Sequence, residues 1–164
     1  SASYNWDLDD LGLLRLLAGY NHTENDVVRV APTPPQLTGL QEVLFDRTER
    51  LRMECGQPED NFKLTADYGL NRFSTLLRGT RYGKYCLADR RVVDQIFQEE
   101  WVVDLEFSYR FEPVTVAIGA QNLFDAFPNR NLPANANLGI FTYPSHSPFG
   151  MNGTFVYTRV VFGF

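Results

Sequence analysis

The chain has 164 residues, enough for one domain, and holds 13 Phe, 8 Tyr and 2 Trp against a mean hydropathy of only -0.26. Its longest unbroken apolar run is four residues, so no stretch reads as a spanning helix, which takes roughly 20, or as a signal-peptide core, which takes about 7–15. A net charge of -5 gives no reason to expect nucleic acid as a partner, and 2 Cys allow one bridge but no disulfide scaffold.

Period-two alternation organises the sequence. Ser1–Trp6 reads as the end of a strand, so the sequence opens in mid-strand and is expected to be a fragment of a longer chain. A turn over Asp7–Gly12 leads to a strand in which Leu14, Leu16, Ala18 and Tyr20 alternate with Arg15, Leu17, Gly19 and Asn21. In the link that follows, Thr33, Pro34 and Pro35 predict a helix start, with Leu37, Leu40, Leu44 and Thr48 on one face. From Glu49 to Cys55 alternation resumes, Leu51 and Met53 against Arg50, Arg52 and Glu54, and predicts extended strand.

Asn61–Gly69 places Phe62, Leu64, Ala66 and Tyr68 on one face. Arg72–Tyr82 does the same with Phe73, Thr75, Leu77 and Gly79, Leu76 being an apolar exception on the other side. A tight turn at Leu70-Asn71 would pair Phe73 with Tyr68 and Leu77 with Leu64, and set Gly79 under the Phe62 ring. That register also brings Cys86 opposite Cys55, which predicts a disulfide closing a loop of about 30 residues. The next hairpin sets Trp101, Val103, Leu105, Phe107, Tyr109 and Phe111 against Val114, Val116, Ile118 and Ala120 across a turn at Glu112-Pro113. The last strand, Thr154–Phe164, puts Val156, Thr158, Val160, Phe162 and Phe164 on one face.

Short turns (7–12, 70–71, 112–113) alternate strictly with long links (26–60, 84–100, 125–153). Bacterial outer-membrane barrels sort their connections this way, with short periplasmic turns and long outer loops, and their strands of roughly 9–11 residues cross the membrane at a tilt. A soluble sandwich or lipocalin-like barrel shares the alternation but has no reason to sort its loops. The expected fold is therefore all-β: an antiparallel up-and-down transmembrane β-barrel, of which this chain supplies seven strands.

Asn122-Leu123-Phe124-Asp125 with Phe127-Pro128, set between a strand and a long loop before a terminal strand ending in Phe164, resembles the NLFD motif of TonB-dependent outer-membrane receptors. Ser147-Pro148-Phe149-Gly150 with Asn152-Gly153, Gly56-Gln57-Pro58 and Arg81-Tyr82-Gly83 are similar to segments of the same family. The resemblance implies that residues 1–164 are the C-terminal part of a barrel of about 22 strands whose N-terminal plug domain is absent here. It implies energy-dependent uptake of a scarce nutrient such as an iron–siderophore complex, with haem, oligosaccharide or cobalamin as other cargoes. Implied partners are outer-membrane lipid, the barrel assembly machinery reading Phe164, the TonB complex through the missing N-terminal region, and a small-molecule ligand. A passive porin, or a barrel used for adhesion, is the alternative function.

Candidate ligand contacts are Arg78 and Thr80, which face inward near the outer end, Tyr82 above them, and Arg90, Arg91, Tyr143 and His146 in the long loops. Arginine suits an anionic iron chelate; tyrosine suits a sugar. Asn122 and Asp125 read as structural, able to bond local backbone and turn the chain. No cofactor is expected, His22 and His146 show no metal-ligand spacing, and no enzyme signature is present; Asp104 and Glu106 read as groups lining a wet interior.

Overall fold

A computed structural model describes residues 1–87, 93–136 and 138–163. Seven strands form one antiparallel sheet in the order β1 (Ala2–Asp7), β2 (Leu13–His22), β3 (Asp60–Leu70), β4 (Phe73–Tyr82), β7 (Glu100–Arg110), β8 (Val114–Gln121) and β9 (Phe155–Phe162). A separate pair, β5 (Tyr85–Leu87) and β6 (Gln95–Phe97), sits in the link between β4 and β7. Two helices, α1 (Gln41–Leu44) and α2 (Arg47–Cys55), occupy the link between β2 and β3. The chain is thus mostly antiparallel β-sheet, with the three short turns at one end and the three long links at the other.

Pairing preserves parity from edge to edge. One row of partners runs Trp6, Leu14, Tyr68, Thr75, Phe107, Ile118, Thr158; the next runs Tyr4, Leu16, Ala66, Leu77, Leu105, Ala120, Val156. All lie on one face, because side chains alternate along each strand. That face is zoned. Tyr20, Phe62 and Trp101 lie at the loop end, Phe73, Tyr109, Phe111 and Phe162 at the turn end, and Leu16, Leu64, Leu77, Val103 and Leu105 between them. Nothing among the described residues covers it: Trp101 is 47%, Phe107 42%, Ile118 56% and Phe162 62% exposed. The buried apolar residues lie instead mainly among the long links, where Tyr85 and the fully enclosed Phe97 stack with centroids 4.8 Å apart.

The opposite face is mostly polar, with Leu13, Leu17, Leu76, Val102, Phe155 and Val161 as interruptions. Its best-tied region crosses three strands. Glu106 on β7 stands opposite Gly119 on β8, which stands opposite Tyr157 on β9. A Cβ on Gly119 would fall 2.6 Å from the Tyr157 ring. The bare backbone lets Tyr157 lie across β8 and donate its hydroxyl to Glu106 Oε2 at 2.7 Å, while Arg159 Nη2 reaches Glu106 Oε1 at 2.5 Å.

Four expectations need correction. The β3–β4 turn is Asn71-Arg72 and not Leu70-Asn71, so Leu70 pairs with Phe73, Tyr68 with Thr75 and Leu64 with Gly79. Asn71 takes the left-handed conformation (φ 54°), which its short side chain adopts more readily than a leucine's. Secondly, Gly79 is covered by Trp101, whose ring carbon lies 3.4 Å from a built Cβ, with Phe62 meeting that ring edge-on at 6.2 Å. Thirdly, the helix expected from Thr33 through Thr48 is broken: a single 3-10 turn at Pro35–Leu37, then α1, then an extended Phe45. Lastly, Glu49–Cys55 is helix and not strand. Asp46 caps α2 by accepting the Glu49 N–H at 2.9 Å, and Arg50–Glu54 (2.8 Å) and Arg52–Glu49 (2.9 Å) pair along its surface. Cap and spacing pairs outweigh the accidental alternation of Leu51 and Met53. By contrast the β7–β8 hairpin has the expected register, Phe107 opposite Ile118.

Gly119→Ala is expected to displace Tyr157, break its bond to Glu106 and lower stability by about 1–3 kcal/mol, the usual cost of overpacking. Thermal denaturation compared with Tyr157→Phe, which removes only the hydroxyl, measures this; equal melting of Gly119→Ala and the unsubstituted protein would refute it.

Candidate functional site

The long links fold over the loop end as one knitted cap. Cys55 at the end of α2 is bonded to Cys86 in β5, Cα to Cα 5.3 Å. The disulfide is the one expected, but the sheet register does not bring it about: helix α2 packs on β5. Arg47, at the start of α2, gives two hydrogen bonds to Asp94, one at 2.9 Å. Gln95 then ties in the third link, donating Nε2–H to the Arg130 carbonyl (2.7 Å) and accepting from the Leu132 N–H (2.8 Å) and Asn135 Nδ2 (3.3 Å). The Gln98 N–H donates to Asn129 Oδ1 at 2.9 Å.

The root of that third link is the Asn122–Asp125 segment. Asn122 closes a ring with Ala126, Nδ2 donating to its carbonyl and Oδ1 accepting from its N–H, both at 2.8 Å. Asp125 Oδ1 accepts the Thr154 N–H at 3.0 Å, so the segment clasps both ends of the link. Asn122 (φ 51°) and Asp125 (φ 56°) are both left-handed. Leu123 donates its N–H to the Val103 carbonyl at 2.7 Å, and Phe124 stays 73% exposed.

Where the polar face meets the cap, two adjacent rows build a concavity. Asn21 pairs with Asn61 and Asn61 with Tyr82; one row deeper, Gly19 pairs with Lys63 and Lys63 with Thr80. Two contiguous hollows of about 340 and 420 Å³ share Asn21, Asn61 and Tyr82 as lining, and Gln57, Pro58 and Pro148 roof the outer one. Gly19 leaves the floor open, for nothing lies within 4 Å of a Cβ built there. Phe149 backs the Tyr82 ring at 5.4 Å. Asn21 Nδ2 donates to Thr23 Oγ1 at 3.0 Å, and Asn61 Nδ2 to the Pro58 carbonyl at 3.4 Å, which leaves Asn61 Oδ1 with no partner among the described residues.

The candidate ligand contacts are distributed unevenly around this hollow. Thr80 and Tyr82 line it, Thr80 nearly buried at 9% exposure. Arg78 lies further toward the turn end, facing Asp104 at 3.9 Å. Tyr143 and His146 belong to the cap: Tyr143 stacks on Phe127 at 5.2 Å, and His146 takes a 3.3 Å contact from the Ser145 hydroxyl. Burial, then the nearby Arg52 charge, holds the His146 pKa below its usual value, so the ring stays neutral near pH 7. On α2, the Arg50 hydrogen bond is the main cause of a lowered Glu54 pKa. Arg90, Arg91 and Phe164 lie outside the described residues. Asn21, Asn61, Gln57 and Lys63 were not among the sequence candidates; parity on β2 and β3 marks Asn21, Asn61 and Lys63 as members of the Thr80 face, but only the cap fold brings in Gln57.

No protein-family model matches the chain, and no curated protein or solved structure matches it.

Two outcomes follow from the cap. Replacing Cys55 and Cys86 together by Ser removes a closure spanning 31 residues, which in the chain-entropy model contributes about 3–4 kcal/mol; limited proteolysis read by mass spectrometry is expected to cut α2 and its flanks, with the sheet intact. Asn122→Ala is expected to lose about 1–3 kcal/mol, because the Ala126 amide and carbonyl lose their partner and alanine disfavours the left-handed turn; Asn122→Gly, which keeps the turn but not the bonds, should fall between, as thermal melting would show.

Proposed function

We propose that this chain is the C-terminal wall of an outer-membrane transport barrel of the TonB-dependent type, serving energy-coupled uptake of a scarce small molecule. The observation that supports it is the uncovered apolar face with aliphatic side chains between two aromatic zones. Water would expel such a face, whereas a bilayer accepts it, with aromatics at the two interfaces and aliphatics in the hydrocarbon. Its height fits as well. Trp101 and Phe111 stand ten residues apart on one edge of the hairpin; at about 3.3 Å per residue and a tilt of about 40° that spans roughly 25 Å, the height of a barrel's apolar band.

On this reading the turn end is periplasmic, the cap lies outside, and the polar face lines a wet lumen that the rest of the barrel closes. Upstream sequence would supply the plug and the coupling segment, and Phe164 the assembly signal. The hollow at Tyr82 then sits where an incoming ligand first meets the lumen.

Single cysteines introduced into the intact gene product test this in outer-membrane fractions, since the native pair is bonded. Leu105→Cys and Ile118→Cys should react only with a lipid-soluble maleimide, Asp104→Cys and Ser108→Cys with a water-soluble one. Equal reaction of both faces with the water-soluble reagent, or recovery of the protein in the soluble fraction without detergent, would refute the proposal.

A further inference from the structure

We propose that the hollow at the loop end of the polar face takes a neutral, polyhydroxylated ligand of the oligosaccharide class, in preference to an anionic iron chelate. The inference rests on the transport reading above and names the cargo of that same site. Four side chains of its lining are amides, Asn21, Asn25, Gln57 and Asn61. An amide presents a donor and an acceptor side by side, which matches a sugar hydroxyl, itself both. Among the described residues, Lys63 is the one charged side chain in the lining of the two hollows. An anionic chelate offers chiefly acceptors and calls for several cations, as paired arginine and lysine provide. Arg78, the nearest candidate for that role, faces the Asp104 carboxylate and is offset by it.

A further observation points the same way. Tyr82, backed by Phe149, sets a rigid ring on the wall, the kind of surface against which the apolar face of a sugar ring packs. The bare floor at Gly19 gives the ligand its depth: the two hollows together exceed the volume of a single small polar group and accommodate more than one ring.

The test is isothermal titration of the intact gene product, purified from outer membranes in detergent, with neutral hexasaccharides of glucose, xylose and N-acetylglucosamine, an anionic ferric tris-catecholate and a neutral ferric hydroxamate. One of the hexasaccharides is expected to bind, with an affinity that barely changes with salt. Gly19→Leu, at a position where a Cβ meets nothing within 4 Å, and Tyr82→Ala should each weaken it by about tenfold or more, while Tyr82→Phe keeps most of it. Heat-modifiable gel mobility confirms that each variant is folded. Binding of either ferric chelate weakened by Gly19→Leu, or no binding of any hexasaccharide, overturns the ligand class while leaving the barrel reading standing on its cysteine-reactivity pattern. Loss of that pattern overturns both.

Discussion

Cross-strand pairing that keeps parity over seven strands is the constraint on which everything else in this molecule depends. Side chains alternate with a period of two, so a slip of one residue at any turn would carry Lys63, Asp67, Arg78, Asp104 and Glu106 to the apolar face and their aliphatic neighbours to the polar one. The turns are chemically matched to that demand. Asn71 takes the left-handed conformation at one tight turn, and Gly12 (φ 96°) at another, where a Cβ would meet the Gly69 carbonyl at 2.3 Å. A slip of two residues, by contrast, costs one pairing row and leaves both faces as they were. For that reason the β3–β4 turn can sit one position later than its sequence suggests with no consequence for the sheet.

The molecule has two parts held together by different physics. The sheet relies on its backbone ladder and on side-chain ties across the polar face, such as Tyr157 spanning Gly119 to Glu106; it has no apolar core of its own. The cap owns the buried aromatic pair, the disulfide and the hydrogen bonds of Gln95. The hollow lies at the junction, with its floor and back wall from the sheet rows of Gly19 and Asn21 and its roof from Gln57, Pro58 and Pro148. Rigid strands set its polar groups, and the cap decides its depth.

The sheet was legible in the sequence because a half-exposed strand writes its orientation into every second residue. All seven strands, their faces and the β7–β8 register follow from that signal. The link after β2 was not legible in the same way. Leu51 and Met53 between charged residues imitate a strand, and only the Asp46 cap with Glu49, and the Arg50–Glu54 spacing, reveal a helix. Strands β5 and β6 are three residues each, too short to show a period at all, and they owe their pairing to the tertiary packing around Phe97. The Cys55–Cys86 bond shows how a right answer can come from a wrong route: the contact is real, yet it joins a helix to a short strand and not two partners of one ladder. Among the candidate ligand contacts, Thr80 and Tyr82 followed from strand parity and Tyr143 and His146 were rightly read as residues of the third long link, but the contacts those two make there run across loops, which no local pattern encodes.

The disulfide also divides the cap mechanically. It joins the first long link to the second, since α2 cannot leave β5 while Cys55 and Cys86 are bonded. The third link is attached to them by the bonds of Gln95 and Gln98, and it is clasped at its root by Asn122 and Asp125. Pro148 and Phe149 thus reach the hollow, one lining it and the other backing Tyr82, from the long link that the disulfide leaves out.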